Sequence, residues 1–220
     1  KTNKNHDVIV VASGNPGKVR EFSRYFHELG IEVRSLKHFD HLPEVIEDGD
    51  TFYENALKKA KTIANALGTV VLADDSGLEV DLLGGEPGVY SARYAGEPAN
   101  DERNNRKLIQ ELKKLADSGN VKANVNGDAP AILSSARFVC ELIVYDPHGD
   151  RVLHARGTWE GGIIEEPRGS QGFGYDPHFY VPELGLTAAE LPPEQKNKIS
   201  HRGQALAKLI RQWKETGFGR

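Results

Sequence analysis

Four short stretches gather residue types suited to anion and metal chemistry. The first is SGNPGK, residues 13–18. It lies between a β-branched run, residues 8–12, and a segment in which Val19, Phe22, Phe26 and Leu29 recur at helical spacing. A helix that begins there offers backbone N–H groups and the positive end of its dipole, and Lys18 adds a full charge, so a phosphate would sit well against Ser13, Gly14, Asn15, Pro16, Gly17 and Lys18. The stretch is not a P-loop. Gly14 and Gly17 are too closely spaced, and Val19 follows the lysine where a metal-binding hydroxyl would be needed. The same residues also make an ordinary strand-to-helix turn, with Gly and Asn supplying positive φ.

The second stretch is acidic. EDGD, residues 47–50, precedes a helical pattern, and Asp74-Asp75 follows the apolar run of residues 69–73. Magnesium takes hard oxygen ligands and uses only one or two carboxylates, leaving its other positions to water and substrate phosphate. Acids at the end of a buried strand point where α/β sheets bind ligands. Residues 47–50 read equally as a solvated acidic loop ahead of a capped helix. Asp74 and Asp75 are harder to dismiss, because adjacent carboxylates repel unless a cation or hydrogen-bond donors stand near.

The third stretch, GFGYDP at residues 172–177, combines close-approach glycines with Phe173, a flat face for a base, and Asp176, an acceptor. A glycine-rich loop whose aromatic residues plug the core has the same composition. The fourth places Lys196, Lys198, Ser200, His201 and Arg202 ahead of a last helix. They form either a donor set for phosphate or purine carbonyls, or a helix start capped by Ser200.

The elements that must carry these stretches follow from periodicity. Residues 31–36 read as a strand and 69–73 as a buried strand. A helix over residues 51–67, capped by Asp50 or Thr51 and closed by Gly68, buries Phe52, Ala56, Ala60, Ile63, Ala64 and Leu67. A second long helix covers residues 101–116. Residues 135–145 and 151–159 alternate as paired strands around the turn at 146–150. Residues 165–177 read as a loop, 178–182 as a short strand, and 203–214 as a final amphipathic helix. Strand, helix, strand, helix, strand argues for an α/β fold. Residues 117–130 show no periodicity and read as an exposed loop inserted into it.

Composition excludes several classes. The formal net charge of −4 over 220 residues leaves no basic stripe for a nucleic-acid duplex. A single cysteine, Cys140, forbids an intrachain disulfide; its place in the alternation Phe138, Cys140, Leu142, Val144 marks it as a small buried hydrophobe. His27, His38, His41, His148 and His154 lack zinc-ligand spacing. No secretory leader or membrane-spanning run is recognisable, so a cytoplasmic protein with no membrane partner is expected.

Taken together, SGNPGK (13–18), EDGDTFYENALKKA (47–60), ADDSGLEVDLLGGEPGVYSARYAG (73–96), GFGYDP (172–177) and KNKISHRGQAL (196–206) resemble the inosine triphosphate pyrophosphatase family. These enzymes act on deaminated purine nucleoside triphosphates, and the bacterial type is the nearest in pattern. The motifs occur in the family's order over nearly the whole chain; residues 117–130 fall outside the match.

The resemblance implies the two-lobed Maf/Ham-type α/β fold, with a long mixed twisted sheet flanked by helices and a central nucleotide cleft. It also implies a homodimer, Mg2+, and release of pyrophosphate in one step from ITP, dITP or XTP. It assigns residues 13–18 to the triphosphate, Glu47 and Asp75 to the metal, Asp75 to the catalytic base, and Lys59 and Ser76 to phosphate. Phe173, Gly174, Tyr175 and Asp176 go to base and sugar, and Lys196, His201 and Arg202 to the base. Ser13 stands where many members carry Thr, which keeps the hydroxyl. Two other readings remain: a Maf-type pyrophosphatase for pyrimidine or modified nucleotides, and a nucleotide-binding protein without turnover.

Overall fold

A computed structural model describes residues 8–117 and 128–218 of the chain. Its order is β1 (Val8–Val11), α1 (Pro16–His27), β2 (Glu32–Ser35), α2 (Phe52–Leu67), β3 (Val71–Val80), α3 (Asp101–Asp117), β4 (Ile132–Asp146), β5 (Arg151–Ile164), β6 (Phe179–Val181), β7 (Leu186–Thr187), α4 (Pro193–Ile199) and α5 (His201–Thr216). One mixed sheet runs β2-β1-β3-β4-β5-β6-β7. β1 is parallel to β2 and β3, with Val10 opposite Val71, whereas β6 is antiparallel to β5 and β7. Most of the expected insertion, residues 118–127, lies outside the described residues. No helix among the described residues is long and apolar enough to cross a membrane.

The chain divides into two compact units. The first takes the described residues up to Asp75, then Cys140–Gly157 and the described residues from Gln204 on; the second takes those of Ser76–Val139 and Thr158–Gly203. Each has its own core. In the first unit Phe22 and Phe26 of α1 pack with Ile9, Leu72, Cys140, Leu142 and the α5 residues Leu206, Leu209 and Trp213. Ala56, Ala60, Ile63 and Ala64 of α2 pack with Val10, Val71, Ala73 and Ile143. Full burial of a side chain such as Phe22 is worth about 1.5–3 kcal/mol. In the second unit Leu108 and Leu112 of α3 pack with Leu78, Val80, Phe138, Trp159 and Phe179.

The helix ends follow from the sequence. Thr51 caps α2 by accepting from the Glu54 N–H at 3.1 Å, and Gly68 closes it at φ 66°, a left-handed conformation that costs other residues energy. Ser200 caps α5 by accepting from the Gly203 N–H at 3.1 Å.

The third strand departs from expectation. The sequence reading ends it at Asp74, yet β3 runs on through both acids to Val80. DDSG carries residues that usually end a strand. Here the acids find cations, and Leu78 and Val80 give the strand a second core to enter. Asp74 and Asp75 therefore sit mid-strand rather than at its tip. α4 and β7 were not expected. Both are short, and α4 presents no buried face, so no apolar period announces it.

Candidate active site

The first unit gathers the charged groups. Pro16 opens α1 and Asn15 caps it. The Asn15 side chain accepts from the Gly17 and Lys18 N–H groups at 2.9 and 3.3 Å, and Ser13 Oγ accepts from the Asn15 N–H at 3.1 Å. Two of the N–H groups expected to meet a phosphate are thus already satisfied by the cap. Lys18 reaches across to β3, with Nζ 3.0 Å from Asp74 Oδ2. Asp74 is only 4% exposed, so this pair is poorly screened by solvent.

Lys59 is presented by α2. Its Nζ lies 2.6 Å from Glu47 Oε1 and donates to the Asp74 carbonyl oxygen at 3.0 Å. Burial alone would lower its pKa. The Asp74 charge, together with Glu47 and Asp75, raises it above the ordinary lysine value instead.

Asp75 is different. Burial pushes its carboxyl up to about 6, against a hydrogen bond from Asn55 and the charge of Lys59; Glu47 and Asp74 push it further in the same direction as burial. Its Oδ2 is buried with no hydrogen-bond partner. Asn55, 1% exposed, joins this acid to the loop ahead of α2. Its Oδ1 accepts from the Gly49 N–H at 2.7 Å, which leaves its amide N–H groups to face Asp75.

Asn55 escaped the sequence reading, although it stands on the buried face of α2 three residues after Phe52, and an amide in that position needs partners. The sequence marks Asp74 as an acid that needs a partner but not Lys18 as that partner. Nothing in the spacing of two residues 56 positions apart announces a contact.

The second unit holds the residues expected at the base. Phe173 is 54% exposed, with Lys196 Nζ 5.4 Å and the Arg202 guanidinium carbon 5.9 Å from its ring centre. Asp176 is buried. It accepts from Lys196 Nζ at 2.6 Å and from the Phe173 N–H at 3.1 Å. Tyr175 turns into the core and donates its hydroxyl to the Ser91 carbonyl at 2.6 Å, so its ring is a support for the loop. Burial raises its pKa well above the ordinary tyrosine value. His201 is buried and stacks on Phe138, with ring centres 4.9 Å apart. Arg202 Nη2 lies 3.4 Å from Ser76 Oγ. Gly203 permits this turn: a Cβ there would stand 1.8 Å from the Asn197 carbonyl oxygen.

The donor set fits a divalent cation of the magnesium type. Glu47, whose Oε1 meets Lys59, and Asp75 are two hard carboxylates within electrostatic reach of one another, and Asp74 beside them is tied to Lys18. The unpartnered Oδ2 of Asp75 is an oxygen that a cation would satisfy. Among the described residues no three His, Cys, Asp or Glu side chains gather into a fuller metal site.

The seven-stranded mixed sheet with helical cover, and the paired acids at the middle of its third strand, define an α/β protein whose charged groups converge on one strand. A model of the Ham1 family matches residues 9–212, and the chain belongs to that family. It is 50% identical over 212 residues to a dITP/XTP pyrophosphatase of Geobacillus kaustophilus, covering 96% of this chain and 97% of the relative. Among solved structures, a HAM1 protein from Coxiella burnetii shares 41% identity at a TM-score of 0.82, over 95% of this chain and 99% of that one. The Ham1 protein of Staphylococcus aureus shares 40% identity at a TM-score of 0.79, over 96% and 100%.

Proposed function

We propose that this protein hydrolyses non-canonical purine nucleoside triphosphates, dITP, XTP and ITP, to the monophosphate and pyrophosphate, and so clears them from the nucleotide pool. The likeness to a dITP/XTP pyrophosphatase over nearly the full length of both chains supports the substrate class. The single observation that carries the chemistry is Asp75, a carboxyl buried on β3 whose Oδ2 has no hydrogen-bond partner and so is open to a cation or a water.

Asp75 takes the proton of a water whose oxygen attacks the α-phosphorus. The bond from that phosphorus to the bridging oxygen breaks, and pyrophosphate leaves with the electron pair. Lys18 and Lys59 offset the charge that grows on the leaving group, while Ser13 and Ser76 hold phosphate oxygens and the positive end of the α1 dipole attracts them. Glu47 and Asp75 would hold Mg2+, which when bound neutralises triphosphate oxygens and makes water more acidic. Phe173 stacks on the base, Asp176 meets base or sugar, and Lys196, His201 and Arg202 offer donors to it.

The base preference follows from hydrogen bonding. Hypoxanthine and xanthine present O6 as an acceptor where adenine presents an amino donor. Donors aimed at O6 are left unpaired by ATP, at a cost of roughly 1–3 kcal/mol for a buried group. We extend the reading to a cytoplasmic homodimer, the assembly the family resemblance implies; the molar mass in solution tests the assembly. The test of the chemistry is Asp75→Asn. Loss of a general base costs on the order of 10²–10⁴-fold in turnover, and near wild-type turnover with Mg2+ present would remove Asp75 from the role.

A further inference from the structure

We propose that α3 presets the platform on which the base stacks, with Asp101 and Asn105 acting as positioning residues that clamp the Gly174 peptide. The proposal rests on the reading that Phe173 is that platform.

The geometry is specific. The Gly174 N–H donates to Asp101 Oδ2 at 2.9 Å, and the Gly174 carbonyl accepts from Asn105 Nδ2 at 2.9 Å. Both ends of one residue are therefore held from one helix. Asp101 and Asn105 stand four positions apart in α3, the spacing that puts two side chains on the same helical face. One face thus supplies an acceptor and a donor in the order the peptide needs. Phe173 immediately precedes the clamped residue, and its own N–H is fixed by Asp176 at 3.1 Å. Its ring is left exposed beneath Lys196 and Arg202.

Two further observations show that the clamp holds the loop where packing does not. The α3 side of residues 170–174 borders a cavity of about 630 Å³ whose walls include Asp101, Asn105, Ile109 and Phe173. Hydrogen bonds are what tie the Gly174 backbone to α3 on that side. Asn105 also keeps Oδ1 buried with no hydrogen-bond partner. An unpaired buried acceptor is costly, and the amide holds this orientation because its other end is committed to Gly174. A loop held by its backbone presents its aromatic side chain with less ordering left for the ligand to impose, which raises affinity without a new contact.

The test is a double-mutant cycle read in steady-state kinetics on dITP with Mg2+. Asn105→Ala and Asp101→Ala are each expected to raise KM about 3–10-fold, the range that loss of one net hydrogen bond gives, with kcat within about twofold. Asp101→Asn keeps an accepting oxygen and should bring KM back to within about twofold of the wild type. In a Phe173→Ala background, where KM is already raised, the two alanine substitutions should have little further effect, because they act through that ring. Thermal melting of each variant separates a lost fold from a lost clamp, and Asp101→Asn, the mildest change, keeps the comparison open if an alanine variant does not fold. Unchanged KM in both clamp variants overturns the proposal, as does an equal rise with and without Phe173. If Phe173→Ala alone leaves KM unmoved, the platform reading itself fails and the clamp falls with it. If Phe173→Ala raises KM and the clamp variants do not, only the clamp is wrong.

Discussion

Lys59 and Glu47 face each other across 2.6 Å, and the same ammonium donates to the backbone of Asp74 at 3.0 Å. One lysine on α2 therefore ties the acidic loop before its own helix to the centre of β3. Its charge also bears on Asp75, where it opposes the effect of burial.

Replacing Lys59 by Met removes that charge while keeping much of the side chain's length. The kcat for pyrophosphate release from dITP should then fall on the order of 10²–10³-fold, the loss seen when one preorganised electrostatic stabiliser is removed. Steady-state kinetics at saturating Mg2+ would measure it, and a kcat within a few fold of the wild type would assign leaving-group stabilisation elsewhere.

Asp75 gives a pH dependence with a definite sign. Its folded pKa is raised from 3.8 to about 6, chiefly by burial. A carboxyl raised in this way binds its proton more tightly folded than unfolded. Its contribution to stability is complete below about pH 4 and is lost as pH rises through about 6. In EDTA, Asp75→Asn should melt close to the wild type near about pH 4 and several degrees above it near about pH 8, because the amide carries no buried charge. Added Mg2+ should stabilise the wild type more than the variant. A melting difference that stays constant across this range would contradict the assignment.

The paired acids of β3 show what a sequence can and cannot disclose. That Asp74 and Asp75 need a cation was legible from their adjacency after an apolar run. Which cation each one finds was not, because Lys18 and Lys59 come from different helices and only the folded sheet brings both to one strand. The end of β3 was misread for the same reason: a strand carries acids through its middle when tertiary partners neutralise them. The helices that bury an apolar face, α1, α2, α3 and α5, were visible from periodicity, whereas α4 buries none and was not. Tyr175 sits in a ligand-like motif, yet its hydroxyl is spent on Ser91 in the core; composition alone does not separate a ring that faces a ligand from one that anchors its loop.

Gly203 tests the α4–α5 turn. A Cβ at that position would stand 1.8 Å from the Asn197 carbonyl oxygen, too close for the backbone to remain in place. Gly203→Ala should destabilise the protein by about 1–3 kcal/mol and raise KM for dITP by displacing His201 and Arg202. Denaturant unfolding together with KM would check both, and unaltered stability would mean that the turn accommodates the methyl group by opening.

Pyrophosphate release from a panel of ITP, dITP, XTP, ATP, GTP, dTTP and UTP, each with and without Mg2+, decides whether the protein is a metal-dependent pyrophosphatase for deaminated purine nucleotides. Fast release is expected from the first three, only with the metal, and slow release from ATP, dTTP and UTP; GTP, which presents O6 as hypoxanthine does, reports whether the pocket also excludes a 2-amino group. Release that favours dTTP or UTP, or no release from any of the seven, would contradict that function.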